Sequence, residues 1–266
     1  MKERVQKLMA QANIGSRREC EELIRQGRVK INGAVAELGA KADPQRDVIE
    51  FDGLALKLEN QQKVYIAVHK PINVLSTDAP HKKDPRRTVR DLVPVEGHLF
   101  MIGRLDAESS GLMVLTNDGD LANRLTHPRY RHTKTYRVTV YGLPDPATIR
   151  QWEEGVFLPE ESSKTAPCSV LIKKADKGLT VLEVVLTEGK KRQIRRVAAM
   201  LGFPVRHLTR THIGQLALGT MSPGEWRELS QDDLQALRTP HPIVRKLRAA
   251  SRKPNRRKRQ GQNDRK

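Results

Sequence analysis

The chain has 266 residues, 49 Lys and Arg against 31 Asp and Glu, a formal net charge of +18 and 37% hydrophobic residues. That length holds one large domain or a small one beside a medium one. The positive excess points to a polyanionic partner, nucleic acid first and an anionic membrane surface second. No apolar run approaches the ~20 residues of a spanning helix, and residues 1–5 lack the apolar core of a signal peptide. The two cysteines, Cys20 and Cys168, stand in no metal-like spacing, which excludes a disulfide scaffold and a cysteine zinc site and fits a reducing cytoplasm.

Val5, Leu8, Met9 and Ala12 recur at helical spacing, with Gly15 able to end that helix. Ser16-Arg-Arg-Glu19 is a capping box and starts a second helix, with Cys20, Leu23 and Ile24 as its buried stripe and Gly27 at its end. Arg28 to Ile31 alternates as a strand into the Asn32-Gly33 hairpin turn, and Asp47 to Phe51 alternates again into Asp52-Gly53. Residues 1–60 thus read as two short helices on a small hairpin-rich sheet. Ser16, Arg17, Arg18, Arg25, Arg28 and Lys30 cluster on the second helix and first strand and form a candidate phosphate-binding patch. The pattern from Ser16 through Arg17-Arg18, Ile24, Gly27 and Val29 to Asn32-Gly33 resembles the S4 RNA-binding module.

Leu54 to Lys63 reads as a linker to a larger domain over residues 61–240. Val64 to Val68 is a buried strand running into His69-Lys70-Pro71, followed by a polar loop through Arg87 and a helical turn at Thr88–Val93. Leu99 to Ile102 is a further strand. Residues 101–120 then carry Arg104 and Asp106 in a loop, the apolar run Leu112–Leu115 as a buried strand, and an Asn117-Asp118-Gly119 turn into a short helix. A carboxylate beside a guanidinium on a loop next to a rigid element suits catalysis; the plain alternative is a surface ion pair of little worth.

Lys134 to Val140 is a strongly alternating strand, and Ala147 to Glu154 a helix entered through prolines. Ser169–Lys173 and Leu179–Leu186 are strands paired across Asp176-Lys-Gly178. Ile194, Val197, Ala198 and Leu201 stripe a helix that Gly202 ends. Val205–Leu208 is a strand, with Arg210 to Leu218 as a separate run after it. Trp226–Leu229 is a short strand, and Gln231–Leu237 a final helix capped by Ser230. From Arg245 the chain is basic and without apolar periodicity, so residues 241–266 read as a disordered tail that adds non-specific RNA affinity.

The histidines, among them His69, His98, His127, His132, His207 and His212, are scattered with no metal spacing. No Gly-rich phosphate loop follows a strand, which counts against dinucleotide or methyl-donor chemistry. Asp106 with Arg104, Tyr136, and Arg195 remain, each with a dull reading of its own: a turn cap, a core strand residue, a solvated helix cation.

Together they carry a resemblance. Gly103-Arg-Leu-Asp106 with Gly111 to Gly119, Lys134-Thr-Tyr136, and Glu188-Gly-Lys-Lys-Arg-Gln-Ile-Arg-Arg196 resemble, in order, the motifs of the RsuA/RluB/RluF group of pseudouridine synthases. The match runs from Glu3 to Leu237. It departs at Ser110, near which the family has Thr, and at Asn73, near where it has Gly; Asn tolerates a left-handed backbone. The resemblance implies an α+β fold with a mixed, mainly antiparallel sheet and flanking helices. It implies isomerisation of uridine in ribosomal RNA, more readily of the large subunit, by a monomer that needs no cofactor and no metal. Asp106 would be the essential carboxylate, attacking C1′ or removing the 2′ proton. Arg195 would pair with it, Tyr136 would stack on the uracil and take part in C5 proton removal, and Leu208 would wall the base. Because a stacked uridine must be flipped out, Arg104 is expected to fill the gap and contact phosphate. The alternative is a non-catalytic RNA-binding or ribosome-assembly protein of the same fold.

Overall fold

In the computed structural model, residues 1–12, 14–57, 62–77 and 84–243 are described. The N-terminal unit begins with Glu3–Arg4 (β1), which leads into the helix Val5–Gln11 (α1). The second helix, Arg17–Arg25 (α2), starts at the expected capping box: the Ser16 hydroxyl accepts from the Glu19 amide at 3.3 Å and the Glu19 carboxylate accepts from the Ser16 amide at 2.6 Å. Val29–Ile31 (β2), Ala34–Val35 (β3), Lys41–Ala42 (β4), Ile49–Phe51 (β5) and Leu54–Ala55 (β6) follow. Four of them form one antiparallel sheet in the order β3-β2-β5-β6, and β4 pairs with β1. Asn32-Gly33 and Asp52-Gly53 both hold positive φ, the backbone that two-residue hairpins need. Val5, Leu8, Met9, Cys20, Ile24, Val29 and Ile49 make the core.

One expectation is corrected here. Leu54 and Ala55 are not linker: they pair with Phe51 and Glu50, because the left-handed Asp52-Gly53 turn folds the chain straight back. The tail from Arg245 lies outside the described residues.

The larger unit runs through Tyr65–Lys70 (β7), Phe100–Met101 (β8), Ser110–Thr116 (β9), Gly119–Thr126 (α3), Lys134–Tyr141 (β10) and Pro146–Glu154 (α4). Phe157–Leu158 (β11) pairs with Ser163–Lys164 (β12). Ser169–Asp176 (β13), Leu179–Leu186 (β14), Gln193–Met200 (α5), Val205–Ile213 (β15), Leu216–Ala217 (β16), Trp226–Glu228 (β17) and Gln231–Arg238 (α6) complete it. Among the described residues, nine strands form one sheet with the central order β13-β14-β10-β15-β9-β7-β17, β16 beside β15 and β8 beside β9. Every pairing in it is antiparallel except β15 with β9, which is parallel and short: Thr209 meets Ser110 and Arg210 meets Gly111. The fold is α+β. None of its helices is long and apolar enough to cross a membrane among the described residues.

Strand alternation divides the core between the two faces. Ile66, Val68, Met113 and Leu115 point into the cluster that includes Val138, Trp152, Leu182 and Val197. Ala67, Leu112 and Val114 point into the one containing Leu121, Ile213 and Leu234. Buried on both faces, β7 and β9 read as continuous apolar runs, as central strands do.

Among the boundaries that differ from the sequence reading, two bear on the cleft. β7 runs on through His69 and Lys70, both buried, and β15 is one nine-residue strand containing Arg210. A window average treats a Lys or Arg as a solvent signal. Here the neighbouring strands cover these side chains, so the charge does not end the strand.

Candidate active site

The short parallel join of β15 and β9 sets the two halves of the sheet apart, and a cleft of about 1160 Å³ opens there. Arg104 and Asp106 line it from the loop before β9, Lys134 and Tyr136 from β10, Leu208 and Arg210 from β15, and Glu188 and Arg192 from the loop before α5. Each arrives by local logic. Ser109 N–H donates to the Asp106 carbonyl at 3.0 Å, closing a turn that presents the Asp106 side chain. Tyr136 faces Arg210 across β10 and β15, beside a bulge between Thr135 and Tyr136 that locally breaks the register. Asn73, with φ 63°, donates its N–H to the Ala107 carbonyl at 2.7 Å and ties the Lys70-Pro71 turn to the Asp106 loop.

The cation closest to Asp106 is a correction to the expected arrangement. Arg192 Nη1 lies 4.0 Å from the Asp106 carboxylate. Arg195 instead donates from Nη2 to the Glu108 carbonyl at 2.9 Å and to Ser109 Oγ at 3.2 Å, with Nε 3.7 Å from the Glu108 carboxylate. Arg195 sits in the first turn of α5 behind the loop, whereas Arg192 caps that helix with a left-handed backbone that turns its side chain over the cleft. Arg195 is still close enough for the Asp106 charge to be felt; burial lowers its affinity for the proton and Glu108 and Asp106 oppose that. Glu108 is held below the usual carboxylate range, first by its hydrogen bond from Arg192.

Tyr136 and Leu208 are buried and line the cleft, and Arg104 lines it while exposed. Three cationic groups were not singled out from sequence. Lys70 is fully buried, donates to the Pro71 and Val74 carbonyls at 2.7 and 2.8 Å, and is pushed down to about 8 by burial, with Asp106 opposing. Lys134 is pushed down to about 8 by burial and by Arg210. Arg210 is sealed beneath the cleft, its Nε donating to the Leu112 carbonyl at 2.7 Å. A signal existed for Lys70, which continues the apolar run Ile66–Val68; Lys134 and Arg210 stand in strands of mixed polarity, where a cation draws no notice.

In the N-terminal unit the candidate phosphate contacts divide. Arg17, Arg18 and Lys30 are exposed or nearly so. Arg25 is paired with Glu22, and Arg28 forms a two-point pair with Asp52 while stacking over Phe51. Those two are partly neutralised within the protein, and the Ser16 hydroxyl is occupied as a helix cap. Ser16, Arg17 and Arg18 instead border a second cavity with His98, Phe100 and Gly119 of the larger unit.

Comparison with known proteins accords with this geometry. The profile of the family described as RNA pseudouridylate synthase matches residues 64–200, and that of the S4 domain matches residues 3–48. An uncharacterized RNA pseudouridine synthase of Aquifex aeolicus (strain VF5) is 39% identical over 239 residues, 89% of this chain and 94% of its own. The ribosomal large subunit pseudouridine synthase B of Bacillus subtilis (strain 168) is 39% identical over 240 residues, 89% of this chain and 96% of its own. A crystal structure of a pseudouridylate synthase superposes with a TM-score of 0.64 at 30% identity, covering 88% of this chain and 99% of that one. The chain belongs to the RNA pseudouridylate synthase family and carries an N-terminal S4 domain.

Proposed function

We propose that this enzyme converts uridine to pseudouridine in ribosomal RNA of the large subunit, acting as a cytoplasmic monomer. The observation that carries the chemistry is the Asp106 carboxylate facing Arg192, in a cleft where cations outnumber carboxylates and Tyr136 and Leu208 form an apolar wall. A cationic cleft suits a polyanion, and the apolar wall suits a flipped base. In this reading Asp106 attacks C1′ or takes the 2′ proton, with Arg192 Nη1 4.0 Å from its carboxylate. Arg195 anchors the loop that presents Asp106. Tyr136 stacks on the uracil and relays the C5 proton, Leu208 packs on the base, and Arg104 enters the RNA stack. Arg17, Arg18 and Lys30 hold phosphates at a distance from the reacting base.

The assignment to large-subunit RNA rests on relatives with that name, in Bacillus subtilis at 39% identity and in Vibrio vulnificus (strain CMCP6) at 36%. The test is incubation with separately purified large- and small-subunit ribosomal RNA, followed by mapping of pseudouridine. Modification of the large-subunit RNA is expected. Modification of the small-subunit RNA alone reassigns the substrate, and binding to both without product favours the non-catalytic alternative.

A further inference from the structure

Arg210 poses a question that its place in the strand does not answer. It is 1% exposed, and its guanidinium has no carboxylate within ion-pair distance among the described residues. Burying an unpaired guanidinium is costly and persists only where surrounding structure enforces it. The enforcement is visible. Nε is held by the Leu112 carbonyl at 2.7 Å, and Nη1 lies beneath Gly103, 3.5 Å from where a Cβ would stand. β9 comes so close that a Cβ on Gly111 would fall 2.3 Å from the Arg210 carbonyl oxygen. Nη2 is sealed from solvent and completes no hydrogen bond among the described residues.

The ionisable group this guanidinium does meet is the phenol of Tyr136, its cross-strand neighbour, 8% exposed. Burial lowers Arg210 from its ordinary value and Tyr136 holds it up, first through charge and then through its hydroxyl. Lys134, two residues away on the same strand, adds a second, half-buried cation.

We propose that Arg210 is a positioning residue for Tyr136, orienting the hydroxyl and stabilising the phenolate through which the C5 proton leaves. The inference rests on the reading of Tyr136 given above and adds the group that makes it chemically competent. Once C5 has bonded to C1′, the ring is an N1=C6 imine and C5 still bears its hydrogen. Tyr136 gives its phenolic proton to N1, making an iminium and leaving the phenolate. The phenolate then takes the C5 proton. The C5–H electron pair becomes the C5=C6 bond, the C6=N1 pair settles on nitrogen, and Tyr136 is a neutral phenol again. One proton goes onto N1 and one comes off C5, so no external acid, base or cofactor enters the balance.

The test is single-turnover conversion of an RNA whose target uridine carries hydrogen or deuterium at C5. Arg210→Gln is expected to slow product formation about 100-fold, the scale of one acid–base step. It should also raise the C5 isotope effect above that of the parent enzyme, with Arg210→Lys recovering much of the rate. On a Tyr136→Phe background Arg210→Gln should add less than about twofold, as expected for residues acting as one unit. A slowed enzyme with the parent's isotope effect, or a loss fully additive with Tyr136→Phe, would overturn the proposal. If Arg210→Gln does not fold, Arg210→Lys decides by the same isotope readout. Tyr136→Phe with the parent's rate would overturn the reading of Tyr136 and this inference with it, whereas additivity overturns this inference alone.

Discussion

Arg192 and Arg195, one turn of chain apart, serve the same carboxylate in different ways. Arg192 faces Asp106 at 4.0 Å, while Arg195 is bonded to the main chain at Glu108 and to Ser109, two and three residues beyond it. The left-handed backbone at Arg192, φ 50°, separates the two side chains. One cation faces the carboxylate, and the other holds the loop that carries it.

The division is testable by removing each in turn. Arg192→Ala exposes no cavity and should change stability by no more than about 0.5 kcal/mol, while slowing turnover about tenfold. Arg195→Ala leaves the Ser109 hydroxyl and the Glu108 carbonyl without their donor and should cost about 1–3 kcal/mol as well as turnover. Urea denaturation beside single-turnover rates separates the two; equal stability losses would contradict the assignment.

Asp106→Asn keeps the size and hydrogen-bonding capacity of the side chain and removes its charge and nucleophilicity. RNA affinity should stay within about threefold, a change of under 1 kcal/mol, and pseudouridine formation should vanish. Nucleoside chromatography of treated RNA reads this directly, and product at the parent's rate would remove Asp106 from the chemistry.

Arg104 is exposed in the cleft and free to act on the RNA rather than on Asp106. Flipping a paired base costs a few kcal/mol that an unstructured strand does not require. Arg104→Ala should therefore slow conversion of a folded RNA at least tenfold more than that of an unstructured oligomer with the same uridine. Equal slowing on both substrates would count against insertion into the stack.

Gly111 is required twice over, by its φ of +116° and by the Arg210 backbone 2.3 Å from where a Cβ would lie. Left-handed strain costs on the order of 1–3 kcal/mol, and the clash with main chain adds to it. Gly111→Ala should lower stability by about 3 kcal/mol or more and loosen the parallel join that shapes the cleft. Gly33→Ala, where no heavy atom lies within 4 Å, should show the strain without the clash. Matching losses from denaturation curves would contradict the close-approach argument.

His132 gives the fold an acid limit. Its imidazole is buried, its Nε2 lacks a partner among the described residues, and burial pushes it down to about 4, with Lys134 acting in the same direction. The folded protein keeps it neutral while the unfolded chain protonates near 6.5. The unfolded state therefore binds more protons between those values, and stability falls as pH drops from about 6.5 to about 4. The full effect is up to about 3 kcal/mol. His132→Met should flatten that limb between pH 7.5 and 5 in urea midpoints, and parallel curves for the two proteins would refute it.

The sequence by itself determined what depends on neighbours within a few residues. The capping box at Ser16 and Glu19 and the hairpins at Asn32-Gly33 and Asp52-Gly53 were legible, because caps and tight turns are satisfied locally. The motifs around Asp106, Tyr136 and Arg195 named the family. Only the tertiary structure decided the rest. The parallel β9–β15 join unites residues 99 apart in the chain, seen in the contact of Ser110 Oγ with Thr209 Oγ1 at 3.0 Å. That join seals Arg210 under Tyr136, where a window of sequence sees an ordinary surface cation. Which arginine faces Asp106 was likewise beyond spacing. A helix repeat puts Arg192 and Arg195 on nearly one face, and the left-handed residue that starts α5 turns one of them to the carboxylate and the other to the main chain.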